Sequence, residues 1–228
     1  IEQIPMSFYI SQLFGNQSEI RTRGDGKTVV YNDNLSQLKL DRTTNIVTFF
    51  ENRSGEETLL YTNNLTQTFN QMKRLGGWQL GVSLFSVDLS NNIAEYVRYV
   101  DSYPILSSRK EGFTQIKANS TGIEKMKTST LIAQTPLPTK NKKITIVGGK
   151  TIVTELLNEG YVMTDIEEIR IGYSWTISSE NIQIVEFIPT WYIKQKGSWK
   201  TLAELKAEKT QSDTNNGTTT TGGDADGF

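Results

Sequence analysis

The sequence predicts an α+β protein of two domains, each an antiparallel β-sheet with one or two packed helices. Three observations lead there. Short segments rich in β-branched and aromatic residues are separated by clusters of Asn, Asp and Gly. The connections between them are mostly of hairpin length, which favours antiparallel pairing over a doubly wound parallel sheet. Three other segments carry apolar residues at helical spacing, each with a glycine just beyond its end. A chain of 228 residues is long enough to bury a core in one or two such domains.

The elements follow in order. Pro5 to Gly15 reads as a short helix, with Phe8, Ile10, Leu13 and Phe14 recurring at helical spacing. Thr28–Asn32, Gln37–Asp41 and Ile46–Glu51 read as strands, and Asp41 to Asn45 as a hairpin connection. A second helix is expected from Asn64 to Arg74, capped by Asn63 or Asn64 and ended by Gly76-Gly77. Two long strands follow, near Trp78–Asp88 and Ile93–Asp101, joined by a turn at Asp88 to Asn92. In the second, Tyr96, Arg98 and Val100 oppose Val97 and Tyr99, so both faces carry large side chains, as in a covered sheet.

Tyr103-Pro104 and the polar Ser107 to Gly112 are read as a domain boundary, giving a first domain over 1–108 and a second over 109–207. The second opens with strands at Phe113–Ala118 and Ile123–Gln134; Pro136 and Pro138 turn the chain out, and Ile144–Val147 is short and apolar. A helix is expected over Lys150–Asn158, with the stripe Ile152, Val153, Leu156 and Leu157 and a stop at Gly160. Ile166–Ser178 and Gln183–Lys194 read as a long hairpin turning at Ser179 to Asn181. Residues 208–228, almost wholly polar, are expected to be a disordered tail.

Composition removes whole classes of function. Without Cys or His the chain holds no thiol or Ser–His nucleophile system, no Cys/His zinc site and no imidazole switch. The net charge of −1 gives no field to draw nucleic acid, so partners are recognised by shape and short-range contacts. No run approaches 18 apolar residues, so no membrane-spanning helix is expected. The chain starts at Ile1 and is read as a piece of a longer protein.

Several motifs imitate chemistry. Ile144 to Thr151 resembles a strand entering a phosphate loop, but the glycine required five residues before Gly149 is replaced by Ile144, leaving too few amides to hold a phosphate. Ser107-Ser108-Arg109-Lys110 and Ser36-Gln37-Leu38-Lys39 both match Ser-x-x-Lys; the accompanying motifs of penicillin-recognising enzymes are missing, and a strand puts Ser36 and Lys39 on opposite faces. The carboxylate pairs Glu56-Glu57 and Glu167-Glu168 are strand neighbours that diverge rather than flank one glycosidic bond. Gly222 to Gly227 opens like a calcium loop that the chain never closes. Six Asn-x-Ser/Thr sites, beginning at Asn16, Asn34, Asn52, Asn64, Asn119 and Asn216, are expected by chance in so Asn- and Thr-rich a chain. Trp78, Trp175, Trp191 and Tyr192 are read as packing residues and Trp199 as a sheet-edge cap. No catalytic, cofactor or metal residue is assigned, and no enzyme is expected. The alternative kept open is a cell-wall carbohydrate-binding domain or a carboxylate-dependent glycosidase.

The ordered landmarks Phe8-Tyr9 with Leu13-Phe14-Gly15, Tyr31-Asn32-Asp33, Gly77-Trp78, Tyr103-Pro104, Ile171-Gly172-Tyr173, Pro189 to Ile193 and Gly197-Ser198-Trp199 resemble the C-terminal two-thirds of the YycH family, over about Phe8 to Leu205. One departure stands out: where the family often has Gly-Tyr-Pro, this chain has Ser102-Tyr103-Pro104, which implies a different local turn if that glycine needs a positive φ. The resemblance implies an extracytoplasmic protein of Gram-positive bacteria, anchored by an N-terminal membrane helix absent from this chain. It implies protein partners, a YycI-like protein and the cell-wall-controlling sensor kinase YycG (WalK), whose activity the protein adjusts without catalysis.

Overall fold

Alternating polarity becomes alternating burial: along Ser36–Asp41 the side chains of Ser36, Leu38 and Leu40 are buried while those of Gln37 and Lys39 are exposed. The computed structural model describes residues 1–14, 19–52, 60–76, 81–107, 110–134 and 144–216. In chain order these form β1 (Glu2–Gln3), α1 (Met6–Leu13), β2 (Arg21–Gly24), β3 (Thr28–Asn32), β4 (Ser36–Asp41), β5 (Ile46–Glu51), α2 (Tyr61–Arg74), β6 (Val82–Asp88), β7 (Ile93–Val100), β8 (Tyr103–Pro104), β9 (Phe113–Asn119), β10 (Gly122–Ser129) and β11 (Leu131–Ile132). Then come α3 (Gly149–Asn158), a 3-10 turn at Met163–Asp165, β12 (Ile166–Ile177), β13 (Val185–Gln195), β14 (Ser198–Thr201) and α4 (Leu202–Asn216). The α+β class with antiparallel sheets is as the sequence predicts.

The chain divides into two compact units, but not between residues 108 and 109. One comprises Ile1–Lys143 with Gly172–Pro189, the other Ile144–Ile171 with Thr190–Phe228. The expected boundary falls inside the first unit, because β9 and β10 join the same sheet as the strands before them. That sheet runs β2-β3-β4-β5-β10-β9-β7-β6, with β8 added beside β7. β10 pairs with β5, and β9 pairs with β7, all antiparallel. The polar stretch at Ser107 to Gly112 is therefore a connection within one sheet. A turn-rich segment marks where a strand ends; it does not reveal which strands pair across it.

Register builds the core of the first unit. Tyr31, Leu38, Phe49, Met126, Ile116 and Ala94 stand opposite one another on successive strands from β3 to β7. All but Tyr31 are at most 2% exposed. Each large apolar side chain so buried contributes about 1.5–3 kcal/mol. Tyr9 and Phe14, at and just beyond α1, and Met72 and Leu75, at and just beyond α2, pack against this row.

Most of the hairpin turns share one device. At Asp25, Asp33, Asp41, Asp88 and Asn119 a side-chain oxygen accepts the backbone N–H two residues on, at 2.8–3.1 Å. Asn181 does the same between β12 and β13. Two of these turns have one spelling, Asp-x-Thr/Ser-x-Asn: Asp41 to Asn45 and Asp88 to Asn92, each closing on an Asn at φ 55°.

α2 begins earlier than its sequence signal. Leu60 occupies the N-cap and no side chain caps the helix. Asn64 lies inside the helix, fully buried, and its amide donates to the Asn92 carbonyl at 2.8 Å. With Thr68 and Gln71 it makes the core-facing stripe of α2 largely polar; Thr68 and Tyr96 share a 2.9 Å hydrogen bond. The helix ends as expected, with Gly76 at φ +66°.

Two other readings change. The strand expected from Trp78 starts at Val82, residues 77–80 lying outside the described residues. The strand expected to reach Gln134 stops at Ser129, and Leu131–Ile132 pairs instead with β1. A second cluster of the first unit joins Ile105, Ala133 and Trp175 with Tyr173 and Phe187, the rings of Trp175 and Phe187 meeting edge to face at 5.6 Å. A parallel bridge ties Ile105 to Tyr173.

In the second unit, Ile152 and Leu156 of α3 pack with Ile193 of β13 and Leu205 of α4. Of the expected α3 stripe, Leu157 is instead 53% exposed. The chain does not lose structure at 208, because α4 continues to Asn216. Lys209 donates to the Glu159 carbonyl and stands over the Tyr161 ring, while Glu208 pairs with Lys200 at 2.5 Å. These contacts supply the partners that composition alone does not show. Residues 217–228 lie outside the described residues.

Candidate functional site

The sequence motifs resolve into structural roles. Gly148 is the N-cap of α3. A Cβ on Gly149 would come within 3.2 Å of the Trp191 ring, whose Nε1 donates to the Val147 carbonyl at 2.8 Å. The Gly-Gly-Lys-Thr spelling thus serves close packing of a helix start on an indole. Ser36 is buried and Lys39 exposed, on opposite faces of β4. Ser107 donates to Glu111, and Lys110 lies 4.8 Å over the Phe113 ring; Ser108 and Arg109 are outside the described residues.

Glu167 and Glu168 turn to different partners. Glu167 accepts the Gly197 N–H at 2.6 Å and lies 3.4 Å from Lys194, and the Gly197 bond leads in holding its carboxyl below the usual range. Glu168 accepts from Arg170 at 2.7 Å. Glu56-Glu57, Trp78 and the Gly222 to Gly227 segment lie outside the described residues. Trp175, Trp191 and Tyr192 pack into the two units, and Arg170 covers the Trp199 ring at 5.6 Å. Asn64 and Asn119, both sequon residues, are buried. Among the described residues no group of three or more acidic side chains is placed to hold a metal.

The site that sequence reasoning passed over is built on Arg98. Ala94, Tyr96 and Arg98 share one phase of β7, so Arg98 continues the row covered by α1 and α2. Its backbone is fixed on both sides: its N–H donates to Gly112 and its carbonyl accepts from Ile105, each at 2.8 Å. Gly112, at φ +69°, makes room for it, since a Cβ there would sit 3.2 Å from the Arg98 Cβ. The signal was a cation at a core-phase position of a strand, between Tyr96 and Val100.

The side chain lines a recess of about 40 Å³ in the first unit. Its walls are mainly apolar, including Ile4, Phe8, Met72, Leu75 and Val82. Its polar groups are few. Thr114 and Thr128 are hydrogen-bonded to each other at 2.7 Å, and the Tyr9 hydroxyl donates to the Ser129 carbonyl at 3.3 Å. Burial pushes the Tyr9 phenol up, so it stays a neutral donor. Nε and Nη1 of Arg98 are buried and have no hydrogen-bond acceptor. Desolvation lowers the guanidinium's pKa, though an arginine so placed keeps its proton. The arrangement sets one positive charge and two unpartnered N–H donors against mainly apolar walls.

The fold is of the α+β class, and its recess sets Arg98 among mainly apolar walls. The chain belongs to the YycH family: the model of the "YycH protein, C-terminal domain" matches residues 1–209. It is similar to the crystal structure of YycH from Bacillus subtilis, at 18% identity and a TM-score of 0.68, over 88% of this chain and 49% of that one. It thus spans about half the length of that relative. It is also similar to an uncharacterized protein from Eubacterium rectale, at 12% identity and a TM-score of 0.52, over 86% of this chain and 75% of that one. At these identities the likeness shows the fold. No curated protein sequence matches the chain.

Proposed function

We infer that this chain is the outer, C-terminal part of a YycH-type regulator that works by binding other proteins. In this reading it lies outside the cytoplasmic membrane, held by a helix N-terminal to Ile1. It acts with a YycI-like protein on the cell-wall-controlling sensor kinase YycG (WalK) and adjusts that kinase's activity, catalysing no reaction itself. The observation that carries the reading is the family match across residues 1–209. Among the described residues no helix is long and apolar enough to cross a membrane, so this reading places the anchor elsewhere in the protein.

The test is to delete the region corresponding to residues 1–209 in cells while keeping the anchor, and to read expression of the kinase's target genes. A change in that expression is expected. Unchanged expression overturns the reading. Saturable quenching of tryptophan fluorescence by wall glycan fragments would point instead to a carbohydrate-binding domain.

A further inference from the structure

The large sheet of the first unit is covered on one face by α1 and α2. Its opposite face is built from the other phase of the same strands. Register sets Arg23, Lys39 and Lys127 in one row, on β2, β4 and β10, with β3 and β5 between them. The next row holds Arg21, Phe50 and Lys125, on β2, β5 and β10. All five cations are exposed, and Phe50 among them is 45% exposed. Neighbouring carboxylates are already engaged: Glu95 accepts from Ser86 and Gln115, and Glu124 pairs with Lys117 at 2.8 Å. Among the described residues no carboxylate pairs with any of the five cations. A chain of net charge −1 thus gathers uncompensated positive charge on one open sheet face. Adjacent strands lie about 4.8 Å apart, so cations on every second strand stand about 10 Å apart. Every seventh residue of an α-helix returns to the same face after about 10.5 Å. The fixed spacing and the single exposed ring favour a helix over a lipid surface, whose headgroups are mobile and have no set repeat.

We propose that this open face docks an acidic helix of a partner protein, laid across β2, β3, β4, β5 and β10. Carboxylates at seven-residue intervals meet Arg23, Lys39 and Lys127, and an apolar side chain beside them covers Phe50. The inference rests on the reading of this chain as one that binds other proteins, and it adds the surface used and the charge the partner brings.

The test replaces Phe50 with the photo-crosslinking residue p-benzoylphenylalanine in the full-length protein in its own cells, and sequences the adducts. An adduct to a helical segment of another protein, with carboxylates seven residues apart, is expected. Lys39→Glu with Lys127→Glu should lower its yield about tenfold, because repulsion replaces two exposed pairs. Lys39→Gln with Lys127→Gln, which adds no repulsion, should lower it about threefold. Both side chains are exposed, so each variant should keep the circular dichroism spectrum of the parent. A lipid adduct, an adduct to a segment without acidic residues, no adduct at all, or a yield that neither pair of substitutions changes would each overturn the proposal. The readout is contact and is separate from the expression of the kinase's target genes. A charge-dependent adduct with unchanged expression on deletion sinks the regulatory reading alone; altered expression with no adduct sinks this proposal alone.

Discussion

Ser102, where the family resemblance leads one to expect glycine, has a backbone conformation that favours glycine. Asp101 and Ser102 are the two loop residues between Val100 and Tyr103, which pair across β7 and β8. Both have positive φ, 46° and 71°, the requirement of the tight hairpin turn that matches strand twist. The turn thus places left-handed backbone on a residue with a Cβ. Left-handed backbone costs a non-glycine residue about 1–2 kcal/mol, partly offset because glycine is more flexible in the unfolded chain. Ser102→Gly is expected to raise stability by about 0.5–1 kcal/mol, measured by denaturant unfolding; a lower midpoint would show that the serine makes a compensating contact. The aspartates at Asp41 and Asp88 act without such strain. Hydrogen bonds from Thr43 at the first turn, and from Asn91 and Ser90 at the second, hold their carboxyls below the usual range.

At the scale of the element, the start of α3 shows how a motif is emptied of chemistry. Glycine at position 149 is needed because the Trp191 ring occupies the space a side chain would fill, and that ring is fixed by its bond to Val147. Filling the gap forces the indole aside. Gly149→Val is expected to destabilise the chain by about 1–3 kcal/mol and to alter its tryptophan fluorescence. A variant with unchanged stability and spectrum would show that the indole yields without cost. α2 makes the complementary point. Its stripe of Asn64, Thr68 and Gln71 reads as a surface face, yet it is buried. Asn92, just before β7, and Tyr96, on it, supply Asn64 and Thr68 with partners that local sequence does not display.

At the scale of the whole molecule, two units divide a chain whose ends and middle interleave. The second unit draws on Ile144–Ile171 and on everything from Thr190 onward, so its integrity depends on α4. Lys206 pairs with Glu159 at 2.9 Å, Leu205 is buried, and the helix reaches past residue 207 to place Glu208 and Lys209 on Lys200 and Tyr161. Ending the chain at Ala207 removes the last two contacts. Partly exposed ion pairs and cation–π contacts are modest, so a loss of about 1 kcal/mol is expected, read as a lowered Tm for the second unit. An unchanged Tm would show that the helix beyond Ala207 carries no stability.

The sequence by itself determined many of the elements, though not β1, β2, β8, β11, β14 or α4. Strands β3, β4, β5 and β7, helix α1 and the turns at Asp41, Asp88 and Gly76 are legible because their signals are local: alternation, helical spacing, Asx acceptors and a glycine after the last helical turn. The absence of Cys and His determined which chemistries the chain lacks. Tertiary structure alone decided which strands are neighbours, and with that the units. The same Ser107 to Gly112 stretch would look identical whether it joined two domains or two strands of one sheet. It decided the fate of Arg98 as well. A strand cation is usually solvated, and only the packing of α1 and α2 over that face leaves Nε and Nη1 buried and unpaired. Pairing and burial are set by segments distant in sequence, so no window along the chain contains them.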